Sequence, residues 1–279
     1  MTRRKLLAGA LALTILFYRF TAMFLEPWFE QNEQPRGRNG FVDVYVPGAG
    51  FSGFFYMMGR LQSVKQLRTP HRFHCFSAGC LALTATLLDT PIEDVVELAL
   101  SARSKAVKGE ISRFDVLEDF VERLLDVSQP ITISMANQNQ NRTNRLISGN
   151  NKLRNLERNL PNINILTSTY DLQHVASTGG LLGRNVRTVY TIAELKTALV
   201  QTTWIPSITG RSFASLDRMS GTYHNDGAFS GLFRGFGMGF DLSLLLPWDL
   251  ALLSNSLNLF MTTDQALEFW RSGVQRGIS

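Results

Sequence analysis

A layered α/β domain is the fold class this sequence predicts, and three observations predict it. Short runs of β-branched and aromatic residues end at glycine turns, as Phe41–Val46 (FVDVYV) does before Pro47 and Gly48. Apolar runs of helical length follow such strands, as Ala78–Leu88 (AGCLALTATLL) follows Arg72–Phe76. The same alternation returns between Ile163 and Thr202, which implies helices packed on a sheet.

The 279 residues suffice for one good core and demand no second large domain. The expected organisation is an N-terminal hydrophobic anchor or signal over 1–29, a linker over 30–39, an α/β domain over 40–234, and a hydrophobic and helical extension over 235–279. The net charge of +5 comes from scattered Lys and Arg rather than a basic stripe interleaved with aromatics. That pattern disfavours nucleic acid and suits an anionic membrane surface.

At the N-terminus, Arg3, Arg4 and Lys5 precede an apolar run from Leu6 to Tyr18, and after Arg19 mostly apolar residues resume to Trp28. This is a signal-like beginning, and the absence of a clear small-x-small cleavage site before Arg19 favours a retained anchor over 6–28. The expected location is therefore membrane-associated, at an endomembrane or lipid droplet, or secreted if the N-terminus is cleaved. A spanning anchor would put the body in the lumen, where Asn141-Arg142-Thr143 would be an available glycosylation sequon.

Element by element, the strand Phe41–Val46 feeds a helix from about Gly53 to Leu67, and Arg72–Phe76 is a second strand. Pro91–Val107 carries a proline at its start, Glu93 and Asp94 in its first turn and basic residues near its end, which are helix boundary signals. Phe114–Leu125 is amphipathic and reads as a packing helix. Met135–Asn162 is rich in Asn, Gln and Arg, with one short helix near Leu153–Leu160. Ile163–Tyr170 and Asn185–Tyr190 read as strands, Thr191-Ile-Ala-Glu194 as a capping box for a helix to about Thr202, and Asp264–Val274 as a final helix. Gly235–Phe260 reads either as a core element or as a membrane-touching lid, with core favoured.

Three segments carry candidate chemistry. Gly48-Ala49-Gly50-Phe51-Ser52-Gly53 fits G-x-G-x-x-G after a strand, a loop whose bare amides at a helix start can receive negative charge. A dinucleotide site is disfavoured, because no acidic residue ends a second strand at the usual distance. Ser77 stands where a strand turns into a helix, with small Ala78 and Gly79 beside it; it is either a helix-capping serine or a nucleophile on an elbow. Asp226-Gly227-Ala228 offers a carboxylate in a turn after Tyr223, as a base for such a serine or as an ordinary Asp-Gly turn. Cys75 and Cys80 flank Ser77; a disulfide is expected to distort the turn, so both are read as free thiols. No His, Cys and carboxylate cluster has metal-ligand spacing, so no metal and no cofactor is expected.

Together, GAGFSG, FSAG and DGA resemble, in order, the glycine-rich oxyanion loop, the G-x-S-x-G elbow and the D-G-A/G signature of the patatin-like phospholipase family. The likeness extends to Leu199–Ile208 (LVQTTWIPSI), similar to the family's helix and Ile-Pro step before its catalytic Asp, and covers roughly Phe41–Gly231. GAGFSGFFYMMGRL with FSAGCLALTATLL looks more like the adipose triglyceride lipase and adiponutrin subgroup than the plant storage patatins. Ser52 stands where patatins usually carry a basic residue, which makes neutral acylglycerols plausible substrates.

The resemblance implies a three-layer patatin-like fold with a mainly parallel central sheet and a Ser77–Asp226 dyad. It implies an oxyanion hole from Gly48, Ala49 and Gly50, with Gly53, Gly79 and Gly227 supporting the motifs. The activity implied is a carboxylic ester hydrolase, a lipase or phospholipase acting at a membrane or lipid-droplet surface, without histidine in the dyad. One departure stands out: Cys75 replaces the first glycine of G-x-S-x-G, and bulky Phe76 crowds the elbow. The alternatives are a non-catalytic lipid-binding or regulatory relative with a crowded elbow, and an acyltransferase passing the same acyl group to a lipid alcohol.

Overall fold

The structure is a computed structural model that describes residues 42–46, 48, 50–62, 70–126, 152–170, 183–218, 220–227, 255, 258 and 261–276. The expected anchor, the linker, the Asn141 sequon, Ala49, Ala228 and nearly all of Gly235–Phe260 lie outside them. Among the described residues no helix is long and apolar enough to cross a membrane.

In chain order the elements are β1 (Val42–Val46), α1 (Gly50–Leu61), β2 (His71–Cys75), α2 (Ala78–Leu87), α3 (Ile92–Val107) and α4 (Val116–Leu125). Then come α5 (152–159) and a 3-10 turn (Leu160–Asn162). They are followed by β3 (Ile163–Tyr170), β4 (Gly183–Thr188), α6 (Ile192–Thr202), β5 (Ser215–Leu216), β6 (Tyr223–Asp226) and α7 (Thr263–Arg276). The expected strands and helices are present with ends shifted by a few residues. The largest shifts are in α1: it ends at Leu61 rather than about Leu67, and it starts at Gly50 rather than near Gly53, because Gly50 takes a positive φ of 64° that lets the chain enter the helix directly from the glycine loop.

The expected mainly parallel sheet is corrected to a mixed one. β1 and β2 are parallel, as are β2 and β3, and each pair is joined through helices as parallel neighbours require. β4 and β6 run antiparallel to β3, and β5 antiparallel to β6. The reversal follows from the connections: only residues 171–182 separate β3 from β4, and the chain then doubles back from β5 into β6.

The register places two strands in line. Ile165 of β3 pairs with Cys75 on one side and Arg187 on the other, while Thr167 pairs with Asp226 on one side and Asn185 on the other. A strand residue has one neighbour per side, so β2 and β6 occupy the same side of β3, one after the other. Their last residues, Cys75 and Asp226, approach each other opposite Leu166.

Burial explains why the helices sit where they do. Residues Ser52 to Leu61 of α1 are all buried, as are Ala78 to Thr86 of α2. In α2 the two polar residues that turn inward satisfy themselves, Thr84 Oγ1 donating to the Cys80 carbonyl and Thr86 Oγ1 to that of Ala82, both at 2.8 Å. α4 buries its Phe120, Val121, Leu124 and Leu125 stripe, and Phe120 meets Phe54 of α1 edge to face with centroids 5.6 Å apart.

The C-terminal helix is part of this core. A Cβ on Gly59 of α1 would stand 2.1 Å from the Trp270 carbonyl oxygen, and one on Gly273 of α7 would stand 2.1 Å from that of Tyr56. The two backbones touch where both helices carry glycine. α6 opens as expected, with Thr191 Oγ1 accepting the Glu194 amide at 3.2 Å. Glu194 reaches one residue further back than a capping box requires, accepting the Tyr190 amide at 2.8 Å.

Candidate active site

Ser77 forms the corner between β2 and α2. Its backbone has φ 51° and ψ −140°, a region that residues with a Cβ rarely occupy and that marks sites where the surroundings impose a shape. The amide of Gly79 donates to the Phe76 carbonyl and that of Cys80 to the Ser77 carbonyl, at 3.1 and 3.0 Å, which closes the turn. Ser77 occupies the N-cap position of α2 but makes no capping hydrogen bond. Its Oγ instead donates to Oδ2 of Asp226 at 2.6 Å. The capping reading of Ser77 is therefore set aside.

Asp226 is the last residue of β6 and 2% exposed, not the turn residue expected from its Asp-Gly pair. Its main chain is tied on both sides: the amide donates to the Trp204 carbonyl at 3.0 Å, and the carbonyl accepts Ser168 Oγ at 2.7 Å. Because β2 and β6 run head to head along β3, a residue just past the end of one and the terminal residue of the other meet side chain to side chain. The hydrogen bond between serine and carboxylate is a consequence of sheet register.

The glycines on either side of this pair are there for space. A Cβ on Gly48 would lie 2.4 Å from Ser77 Cβ and 3.0 Å from its Oγ. A Cβ on Gly227 would lie 2.6 Å from the Leu166 carbonyl oxygen and 2.7 Å from Phe76 Cβ. Gly227 thus makes room for the bulky Phe76 that departs from the elbow pattern, and Phe76 is buried without displacing Ser77. Gly53 is buried within α1, and Gly79 is the second residue of α2. Of the expected oxyanion residues, Gly48 abuts the serine and Gly50 starts α1. The Phe76 amide reaches the Val46 carbonyl at 3.4 Å, so the end of β1 stays beside the elbow. With α1 starting at Gly50 and α2 at Ala78, the serine lies near two helix N-termini, the positive ends of their dipoles.

The free-thiol reading of the cysteines is corrected. Cys75 and Cys80 form a disulfide, with Cα atoms 5.0 Å apart, and both are buried. The bridge joins the last residue of β2 to the third of α2 and passes behind the elbow without unwinding it. One helical turn beyond the corner brings the second Cα within the ordinary disulfide range of roughly 4.4–6.8 Å.

His224 lies two residues before Asp226, yet its Nδ1 pairs with Thr167 Oγ1 at 3.0 Å. Its Nε2 is buried with no hydrogen-bond partner among the described residues. Burial pushes the His224 pKa below its ordinary value; Asp217 opposes that shift and Arg187 adds to it. The ring is thereby kept neutral beside the pair rather than within it.

Sequence reasoning gave no role to Thr202, Leu166 or Trp204: the Thr202 hydroxyl and the Trp204 carbonyl accept the amides of Ser77 and Asp226, and the Leu166 carbonyl holds Thr202. Two of them act through backbone carbonyls, for which no residue type is diagnostic. Only the Thr202 hydroxyl carried a signal, inside the LVQTTWIPSI segment. Among the described residues no group of His, Cys, Asp and Glu is arranged to hold a metal ion.

No protein-family model, curated protein or solved structure matches this chain. The site's own geometry defines its chemistry: a serine hydroxyl on a strained corner, hydrogen-bonded to a buried carboxylate, with Gly48 so close that a Cβ there would overlap Ser77 Cβ.

Proposed function

We propose that this chain is a serine acyl-hydrolase of lipid esters, with a patatin-like fold, a Ser77 nucleophile and an Asp226 base. The observation that carries the reading is the 2.6 Å hydrogen bond from Ser77 Oγ to Asp226 Oδ2. Serine needs a base to become a nucleophile, and the carboxylate is the group its proton already faces.

In the proposed reaction Ser77 Oγ bonds to the ester carbonyl carbon as its proton passes to Asp226. The carbonyl oxygen, now an oxyanion, is received by amides of the Gly48–Gly50 loop, where the helix dipole of α1 adds stabilisation. The intermediate collapses, the C–O bond to the alcohol breaks, and Asp226 returns the proton to the departing oxygen. Water then attacks the acyl-enzyme, yielding its proton to Asp226; the carboxylic acid leaves and the proton returns to Ser77. Lipid esters are favoured by the sequence resemblance and by the signal-like apolar N-terminus.

The test is release of fatty acid from triacylglycerol and phospholipid mixed micelles by the full chain in mild detergent, beside Ser77→Ala and Asp226→Asn. Each substitution is expected to lower turnover by roughly a thousandfold or more, with no additive loss in the double variant, since the two groups act as a unit. Wild-type rates equal to those of folded Ser77→Ala protein on every ester would sink the reading and leave a lipid-binding protein.

A further inference from the structure

We infer that Thr202, at the C-terminus of α6, is a positioning residue for the nucleophile, a deepening that rests on the acyl-hydrolase reading above. Ser77 keeps its rarely populated backbone shape only if something holds it there. Its amide donates to Thr202 Oγ1 at 2.9 Å, and Thr202 Oγ1 donates in turn to the Leu166 carbonyl at 2.6 Å. A carbonyl oxygen only accepts, so the one hydroxyl proton of Thr202 points to Leu166 and a lone pair points to the Ser77 amide. The direction of this relay has no alternative.

Its place in the fold gives the relay its purpose. Leu166 is the β3 residue opposite which β2 and β6 end, and Thr202 is fully buried. Two residues on, the Trp204 carbonyl accepts the amide of Asp226 at 3.0 Å. One short segment, 202–204, therefore fixes the main chain of both nucleophile and base relative to β3. The Ser77 amide, directed at Thr202, is withdrawn from the oxyanion, which falls to the amides after β1.

The experiment compares wild type, Thr202→Val, Thr202→Ser and Ser77→Ala in the full chain. It measures kcat and KM on a medium-chain p-nitrophenyl ester, and the rate of labelling by an alkyl fluorophosphonate, in which Oγ bonds to phosphorus and fluoride leaves. Thr202→Val preserves shape but leaves the buried Ser77 amide without an acceptor; kcat and labelling are expected to fall roughly ten- to hundredfold with KM unchanged. Thr202→Ser keeps the hydroxyl and is expected to recover to within a few fold of wild type. Wild-type rates in Thr202→Val, or a Thr202→Ser protein as slow as Thr202→Val, would overturn the positioning role while Ser77-dependent labelling still upheld the dyad. Wild-type labelling no faster than that of Ser77→Ala would overturn the dyad itself and the positioning role with it.

Discussion

Cys75 and Asp226 are the terminal residues of two strands that approach head to head along one side of β3, with Leu166 between their partners Ile165 and Thr167. One strand arrives parallel to β3 and the other antiparallel, so the sheet has to be mixed for the two ends to meet. Ser77, just past the end of the first strand, then faces Asp226, at the end of the second. No loop has to reach across; the pair stands where two strands of one sheet end.

Gly48→Ala should test how closely the glycine loop is fitted to the serine. Its Cβ would stand 2.4 Å from Ser77 Cβ, and Ser77 is held from behind by α2 and the disulfide. Displacement of either partner by about an ångström is expected to lower kcat on an order of a hundredfold. Gly227→Ala meets the Leu166 carbonyl and Phe76 instead, and is expected to destabilise the fold by about 1–3 kcal/mol as overpacking does. Denaturant melts and turnover on a soluble ester check both; a Gly48→Ala enzyme as fast as wild type would show that the loop stands off the serine.

The first half of the site was legible because its signals are local. A β-branched run, a glycine turn and an apolar helix identify β1–α1 and β2–α2 by period and punctuation alone, and Ser77 falls on the corner between the second pair. Asp226 was legible as a residue but not as a position: Asp-Gly reads as a turn, whereas Gly227 is glycine because the Leu166 carbonyl and Phe76 leave no room for a Cβ. The antiparallel placing of β6 had no local signal, since YHND is short and polar and its partner Tyr170–Thr167 is distant in sequence. Cys75 and Cys80 were misread for a different reason. A bridge was judged against the turn it encloses, although the distance between its ends decides whether it forms.

The bridge predicts a measurable oxidation state. Without reductant, the protein is expected to show no alkylatable thiol until unfolded and reduced, since Cys75 and Cys80 are its only cysteines. A sequence separation of 5 closes a short loop, so removing it by Cys75→Ala with Cys80→Ala should cost about 2 kcal/mol of stability. Intact mass after alkylation, and melts with and without a dithiol reductant, check this. Two rapidly alkylated thiols in folded protein would show that the bridge is not formed.

Gly59 and Gly273 predict that the C-terminal helix is required by the core. Each glycine admits the other helix's backbone, and a side chain at either must push α7 away from α1, whose N-terminus follows the glycine loop. Gly59→Ala is expected to lose about 1–3 kcal/mol, and Gly273→Ala a similar amount. Combined, they should lose less than their sum, because one separation relieves both contacts. Full additivity in urea melts would mean that the two contacts are independent.

His224 is expected to contribute to the acid limb of stability. Its pKa in the folded chain lies below the ordinary value of about 6.5, first because it is buried and then because of Arg187, with Asp217 opposing. Between that lowered value and about 6.5 the unfolded chain binds a proton that the native one does not, so stability rises with pH across this window. On acidification it begins to fall below about pH 6.5 and continues until the folded-state pKa is passed. His71, also lowered by burial, adds a contribution of the same sign. His224→Gln should flatten the slope of unfolding free energy between pH 5 and 7, leaving the part owed to His71. Arg187→Gln removes a cation that disfavours the imidazolium, which raises the folded-state pKa toward the ordinary value, so the fall should become smaller and end at a higher pH. Urea melts at half-unit steps measure the slope, and a His224→Gln protein as acid-sensitive as wild type would mean that other groups carry the proton uptake.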